Sequence, residues 1–333
     1  MTPPFDPAFF KPASSPGALQ DALGQTTVPH PGQHAYVYNQ AIVLAVNVAL
    51  ATQRPLLLAG SPGSGKTCLA ANVAHVQGWR FYQRTISSRT RARDLMWTFD
   101  ALRRLADAQG SAVAGAASLR PREAYIEPQA LWWAFDSASA TWRGAEPGTP
   151  GVRPASDPSP ASSGTPAVVL LDEIDKAEPD LPNDLLEALD TERFQIDELD
   201  PPRTIAGQRG QVLTIITTNG EREMPPAFLR RCIVLKLDAP SEDWLVRIAN
   251  QRFGTAHEAL HRDIAKRLQA LRDAALRLNL REPSTAEYLD ALAACQRLGI
   301  TQRSPEWQLL EQAVLWKRDD AAPPPANPAG EGR

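Results

Sequence analysis

Apolar positions fall into two regimes along the chain. Between residues 36 and 239, short continuous apolar runs alternate with stretches of helical spacing; after Pro240 only the helical spacing remains. Tyr38 to Thr52 is apolar and free of Gly and Pro, which predicts a helix. Pro55 resets the chain, and Leu56 to Ala59 reads as a short buried strand. A helix is predicted from Lys66 to Gln77, with Gly78 as its stop. Further strands are predicted at Trp79 to Ile86, Ala167 to Leu171, Gln211 to Thr217 and Cys232 to Leu237, and a further helix around Asp184 to Leu189. Thr90 to Trp142 reads as mainly helical. Leu260, Ile264, Leu268, Leu271 and Leu278 give a later helix one buried face. The pattern predicts an α/β domain with a parallel sheet over 36–239, then a small all-α domain over 240–318.

The flanks and one internal stretch break this pattern. Residues 1–35 hold seven prolines and predict an irregular or wrapped arm. Residues 144–166 hold six Pro, four Gly and four Ser, which predicts a disordered surface loop entering the following strand at its amino end. The end, 319–333, reads as a disordered polar tail. The chain has 333 residues, a net charge of −3 and 43% hydrophobic residues. That balance provides a sizeable core and no global basic field for nucleic acid or anionic lipid. Cys68, Cys232 and Cys295 are far apart and have no metal-binding spacing, which favours a reducing compartment. With no secretory signal and no apolar run of membrane-spanning length, the expected location is the cytoplasm.

Candidate chemistry begins at the turn after the first core strand. Residues 60–67 read GSPGSGKT, a complete G-x-x-x-x-G-K-[ST] motif between a strand and a helix. Gly60, Gly63 and Gly65 allow the backbone to curl so that N–H groups of Ser61, Pro62's neighbours, Ser64 and Cys68 gather around phosphate oxygens. The helix start adds a positive field. Lys66 supplies a mobile charge for the outer phosphates, and the Thr67 hydroxyl is a magnesium ligand. A chance match in a chain of this length is roughly a one-in-a-hundred event. The run VVLLDEIDKA, residues 168–177, is a buried strand ending in carboxylates. Asp172 is placed to hold Mg²⁺, and Glu173 to polarise an attacking water. Asp175 and Lys176 read as a solvated first helical turn.

Downstream, TIITTNGEREMPPAFLRRCIVLKL (214–237) resembles the sensor-1 and arginine-finger region of AAA+ proteins, and more narrowly of MoxR-type ATPases. RPLLLAGSPGSGKT, RARDLMWTFDALRRLADAQ, LLDEIDKAEPDLPNDLLEALD and REPSTAEYLDAL extend the resemblance from about Tyr38 to Leu298. It implies ATP and Mg²⁺ as cofactors, Asn219 as sensor 1, Arg230 or Arg231 as the finger reaching a neighbouring subunit, and Arg281 as the sensor-2 arginine. It also implies a homo-oligomeric ring, expected to be a hexamer, an insert between about Ala101 and Trp142, and a partner protein bearing a von Willebrand A domain.

Three functions compete. The leading one is ATP-driven remodelling of a partner protein. The second is a nucleotide-switched assembly module in which slow hydrolysis acts as a timer. The third is a nucleic-acid motor, disfavoured by the acidic balance but kept open by seven arginines against two aspartates between Arg80 and Arg104.

Overall fold

The computed structural model describes residues 9–15, 17–20, 25–30, 33–114, 119–159, 166–302 and 304–317. Its centre is a five-stranded parallel sheet. The strands are β4 (Leu56–Ala59), β5 (Arg80–Thr85), β8 (Ala167–Asp172), β11 (Val212–Thr218) and β12 (Ile233–Lys236), in the order β12-β4-β11-β8-β5. Both faces are covered, which explains the unbroken apolar runs: Leu57, Val169, Leu171 and Ile216 pack into one core, and Leu56, Leu58, Val168, Leu170 and Ile215 into the other. Helices α1 (Gln40–Thr52) and α2 (Lys66–Gln77) build the second core; α4 (Ala130–Phe135), α6 (Leu181–Asp184) and α7 (Leu186–Thr191) contribute to the first. Asn39 caps α1 through the Ile42 N–H, and Gly78 ends α2 at φ 64°.

Among its described residues, the arm expected to be irregular or wrapped includes regular elements. Strands β1 (Leu19–Gln20), β2 (Thr26–His30) and β3 (Gln33–Tyr38) form an antiparallel sheet over α2. Phe10 is fully buried, and Asn47, itself buried on α1, receives the N–H groups of Phe9 and Phe10 and donates to the Phe10 carbonyl. The prolines suggested an irregular or wrapped arm; Phe10 and the buried Asn47 amide hold its described part against α1.

The 144–166 stretch also departs from expectation over its described part, 144–159. It runs beside the outer strand β5, where the Ser159 hydroxyl accepts the Phe81 N–H at 3.0 Å and Asp157 accepts the Tyr82 hydroxyl at 3.0 Å. Val152 and Ala155 are buried. The segment thus satisfies a sheet edge that would otherwise be open, a role invisible to composition. Residues 160–165 and the tail 319–333 lie outside the described residues.

The region read as mainly helical contains a small antiparallel pair, β6 (Trp97–Phe99) and β7 (Ile126–Pro128), bracketing α3 (Ala101–Ala114); α5 (Ser137–Thr141) follows α4. A second hairpin, β9 (Arg193–Ile196) and β10 (Arg203–Ala206), comes before β11 and was not anticipated. Trp132 and Trp133 belong to the core. The arginine run is not one surface: Arg80 is buried and donates to the Tyr82 hydroxyl and the Trp133 carbonyl, while Arg93 pairs with Glu198.

After the short α8 (Pro226–Leu229) and β12, the remaining elements are α9 (Glu242–Phe253), α10 (Glu258–Arg277), α11 (Thr285–Leu298), α12 (Glu306–Leu310) and a π-helical stretch, Glu311–Trp316. They share a separate apolar core around Leu245, Ile264, Leu268, Leu271, Tyr288 and Trp316. We call this helical unit the lid. Among the described residues no helix is long and apolar enough to cross a membrane.

Candidate functional site

The carboxyl ends of β4, β11 and β8 lie side by side, since β11 pairs in parallel with both neighbours. β4 leads into the glycine turn, β8 ends on Asp172 and β11 is followed by Asn219, so the topology alone brings three sequence motifs to one edge. Between this edge and the lid lies a cavity of about 670 Å³. Its walls include Pro62 to Cys68, Asp172, Glu173 and Asn219 from the core, and Trp244, Ile248, Thr285 and Leu289 from the lid.

Two glycines of the turn are required by contact. A Cβ on Gly60 would lie 2.6 Å from the Leu237 carbonyl, and one on Gly63, at φ +76°, would lie 2.6 Å from Ser284 Cβ of the lid. Gly65 opens α2 at φ 91°. Lys66 Nζ donates to the carbonyls of Gly60 (2.7 Å) and Ser61 (2.9 Å). Burial lowers the Lys66 pKa, and Asp172, Asp175 and Glu173 oppose that shift. Cys68 lines the cavity, where desolvation raises its thiol pKa and Arg252 opposes the shift.

Thr67 Oγ1 donates to Asp172 at 3.1 Å. A hydroxyl and a carboxylate in contact are hard oxygen donors suited to Mg²⁺, which completes its shell with water and phosphate oxygens. Among the described residues no cluster of three or more His, Cys, Asp or Glu could hold a metal unaided.

Glu173 follows with a left-handed backbone, φ 63° and ψ 52°, which is costly for a residue with a Cβ and so marks a side chain held by its surroundings. The holding group is Thr217, which sequence reading passed over. Its hydroxyl accepts the Glu173 N–H at 2.8 Å and donates to Asp172 Oδ1 at 2.5 Å. The available signal was a threonine pair, Thr217 and Thr218, closing a buried strand just before Asn219. The Glu173 carboxylate is shared: Asn219 Nδ2 donates to Oε1 at 3.4 Å and Lys176 Nζ to Oε2 at 2.8 Å.

Asp175 is not solvated. It is 3% exposed, and its Oδ2 accepts the N–H groups of Asn219 (2.9 Å) and Glu221 (3.1 Å), fixing the loop that carries Asn219. Lys176 is half-exposed, and its pKa is raised chiefly by the hydrogen bond to Glu173.

The two adjacent arginines differ. Arg231 Nε pairs with Asp190 at 2.7 Å, whereas the Arg230 side chain is exposed and meets no partner among the described residues. Arg54, also unforeseen, donates to the carbonyls of Arg230, Arg231 and Cys232 and so pins the backbone carrying both.

Arg281 does not join the cavity, contrary to the sensor-2 expectation. It pairs at 2.9 Å with Glu287, whose side chain is only 5% exposed, and this buried carboxylate draws it away from the phosphate turn. The lid faces the turn instead with Ser284, Thr285 and Ala286.

A glycine turn that opens a helix, two carboxylates at the neighbouring strand end, and a parallel sheet capped by a helical lid define the class: a P-loop nucleotide-binding protein with the AAA+ fold. The family called AAA domain, dynein-related subfamily, matches residues 55–232, a little over half of the chain. The chain belongs to that family. No curated protein matches it. Among solved structures, a RuvB mutant of Thermotoga maritima aligns with 18% identity and a TM-score of 0.39, covering 79% of this chain and 69% of that one. The structure titled RuvB Holliday junction branch migration motor, from the same organism, aligns with 18% identity and a TM-score of 0.36, covering 78% and 68%. Likenesses this loose carry no functional weight.

Proposed function

We propose that this protein binds ATP with Mg²⁺ and hydrolyses it at the interfaces of a ring, in order to remodel or activate a partner protein in the manner of MoxR-type ATPases. The observation that carries hydrolysis is the strained Glu173, held by Thr217 and facing Asn219 at the edge of the phosphate turn.

In this reading the turn binds the phosphate chain through its N–H groups and Lys66. Thr67 and Asp172 hold the metal, which supplies charge neutralisation on the phosphates when bound. Glu173 accepts the proton of the attacking water, and Asn219 orients that water. Arg230, exposed and unpaired, is the finger for the neighbouring subunit, while Arg231 keeps its loop in place through Asp190. The von Willebrand A partner rests on resemblance alone. The β6–α3–β7 insert, with Leu102 (80% exposed) and Leu105 (55%), is the surface we assign to a protein client.

A nucleotide-switched module with slow hydrolysis remains a second reading, favoured by the Lys176–Glu173 ion pair, which occupies the proposed base. Steady-state ATPase and ATP-binding measurements on Glu173→Gln separate the outcomes. The expected result is a loss of at least about 100-fold in kcat with ATP binding retained. Turnover at the wild-type rate would remove the hydrolytic assignment.

A further inference from the structure

Glu287 keeps two lid cations out of the cavity. It pairs with Arg281 at 2.9 Å and with Lys317 at 2.7 Å, and its own side chain is only 5% exposed. Neither cation lines the cavity. Among the described residues the lid nevertheless places one cation there, Arg252 in the last turn of α9.

The helix explains this placement. Trp244, Ile248 and Arg252 are spaced four residues apart, so they share one face of α9, and all three line the cavity. The first two offer apolar surface; the third ends the stripe with a guanidinium. The helix dipole favours a cation in the last turn, but it does so in any direction around the axis and does not select the cavity face. Arg252 is exposed, and among the described residues it makes no hydrogen bond and no ion pair. Its guanidinium lies 5.2 Å from the centroid of the adjacent Phe253 ring, and neither Asp238 nor Asp290, which line the same cavity, pairs with it. Its fork of donors is left for an acceptor from outside the chain.

Helix α2 sets which part of the nucleotide that acceptor would be. Thr67 turns its hydroxyl to Asp172 and so marks the metal end of the phosphate chain. Cys68 is the next residue, rotated by about 100° around the helix, and it lines the cavity on another side. Arg252 faces that side: of the charges acting on the Cys68 thiol it is the larger and Asp172 the smaller, whereas those acting on Lys66 are Asp172, Asp175 and Glu173. Lys66 reaches for the outer phosphates, while N–H groups at the start of the helix cradle the inner ones. The guanidinium thus stands on the side of the inner phosphates, away from the proposed base.

We infer that Arg252 is a nucleotide-binding residue of the lid, whose guanidinium closes on the inner phosphates, those already present in a nucleoside diphosphate, from the side away from the metal. This rests on the ATP-binding reading above. A planar fork suits two phosphate oxygens at once. Because ADP and ATP share these phosphates, Arg252 holds the lid to both, and the γ-phosphate is left to the core and to the neighbouring subunit.

The test is calorimetric titration of the full chain with Mg²⁺–ADP and with a non-hydrolysable Mg²⁺–ATP analogue, at low and high salt. Wild type is compared with Arg252→Ala, Arg252→Lys, Arg281→Gln and Lys66→Ala. Loss of a charge-assisted hydrogen bond predicts about 10-fold weaker binding of both nucleotides to Arg252→Ala at low salt. Relative to wild type, that deficit shrinks to about threefold at high salt, because an exposed cation is screened. Arg252→Lys, which keeps the charge and loses the fork, falls between wild type and Arg252→Ala. Arg281→Gln stays within about threefold of wild type at either salt. Thermal melting checks the fold; should Arg252→Ala melt early, Arg252→Gln takes its place with the same outcomes. Wild-type affinity in the Arg252 variant overturns the inference. So does a loss confined to the ATP analogue, which would make Arg252 a reader of the γ-phosphate, and so does a larger salt-sensitive loss in Arg281→Gln than in Arg252→Ala. Lys66→Ala separates the two levels. If it loses both nucleotides while the Arg252 variant does not, only the lid inference fails; if it binds them like wild type, the nucleotide reading itself falls.

Discussion

The core wall of the nucleotide cavity is strained and dense in charge, and the lid wall is relaxed and mostly apolar. On the core side stand Lys66, Asp172 and Glu173, with positive φ at Gly63, Gly65 and Glu173. On the lid side stand Trp244, Ile248, Ala286 and Leu289, with Arg252 and Asp290 as the charged members, all in helices. Strain is tolerated where chemistry needs fixed groups, because neighbouring strands determine the backbone on both sides. Apolar surface carries a smaller desolvation cost than charge when it is covered or uncovered by a ligand. The core is thus suited to chemistry, and the lid to recognising what the core holds.

The comparison is broken most severely at Thr217. This one hydroxyl fixes the Asp172 carboxylate and the Glu173 N–H, so Thr217→Val frees the Glu173 backbone and unpins Asp172. Groups that orient ligands and catalytic residues are typically worth about 10–100-fold, and a kcat loss in that range is expected. ADP affinity should stay near wild type, since the turn and Lys66 are untouched. Unchanged kcat would mean that Glu173 does not depend on Thr217.

The seam between the walls is tested by Gly63→Ala. The new methyl meets a positive φ and Ser284 Cβ at once, so either the turn or the lid has to move. The left-handed penalty of roughly 1 kcal/mol plus the displaced lid predicts about 10-fold weaker ADP binding. Fluorescence titration reads it. Gly148→Ala, at φ +82° but with open space around it, controls for backbone strain and should leave affinity alone.

A smaller change sharpens the core side. Lys176 holds one oxygen of the Glu173 carboxylate, the proposed base, and both side chains are partly exposed. Exposed ion pairs contribute little, so Lys176→Ala should raise the basal ATPase rate by no more than about fivefold. A fall in rate would instead make Lys176 part of the catalytic arrangement.

The same contrast explains what the sequence could disclose. Core motifs are short and local: the glycine turn, the apolar run ending in Asp172 and Glu173, and Asn219 are each contiguous, and each brings its own structural context. The parallel order then gathers them without further information. The lid contact is assembled from pairings distant in sequence, such as Lys317 with Glu287 and Ser284 with Gly63. Arg281 stands near the start of a lid helix, yet a buried acid six residues later decides where it points. Asp175 misled for a related reason. It sits in a short polar stretch that reads as surface, but the loop after β11 folds over it and hands it two N–H groups. The N-terminal sheet and residues 144–159 were hidden by proline content, because satisfaction of an edge N–H by a single side chain such as Ser159 leaves no periodic trace.

The lid's own stability provides the smallest effect and depends on pH. His261, fully buried on α10, contacts Asn250 Oδ1 through Nδ1 at 2.7 Å, lies 3.3 Å from Gln296 Nε2 through Nε2, and packs against the Phe253 ring. Burial, helped by His257 and opposed by Glu258, lowers its pKa from the ordinary 6.5. Above that value the ring is neutral folded and unfolded, and its contribution to stability is complete. As pH falls below 6.5 the unfolded chain takes up the proton first, so stability declines until the folded pKa is passed. Thermal melts followed at decreasing pH should therefore show a shift of a few degrees that flattens in His261→Gln. The core should not share it: hydrogen exchange in β8 and β11 should hold while α10 loses protection, since no histidine lies in either strand. If α10 and the sheet lose protection together, the lid and core unfold as one unit, and the difference between the two walls is a difference of chemistry only.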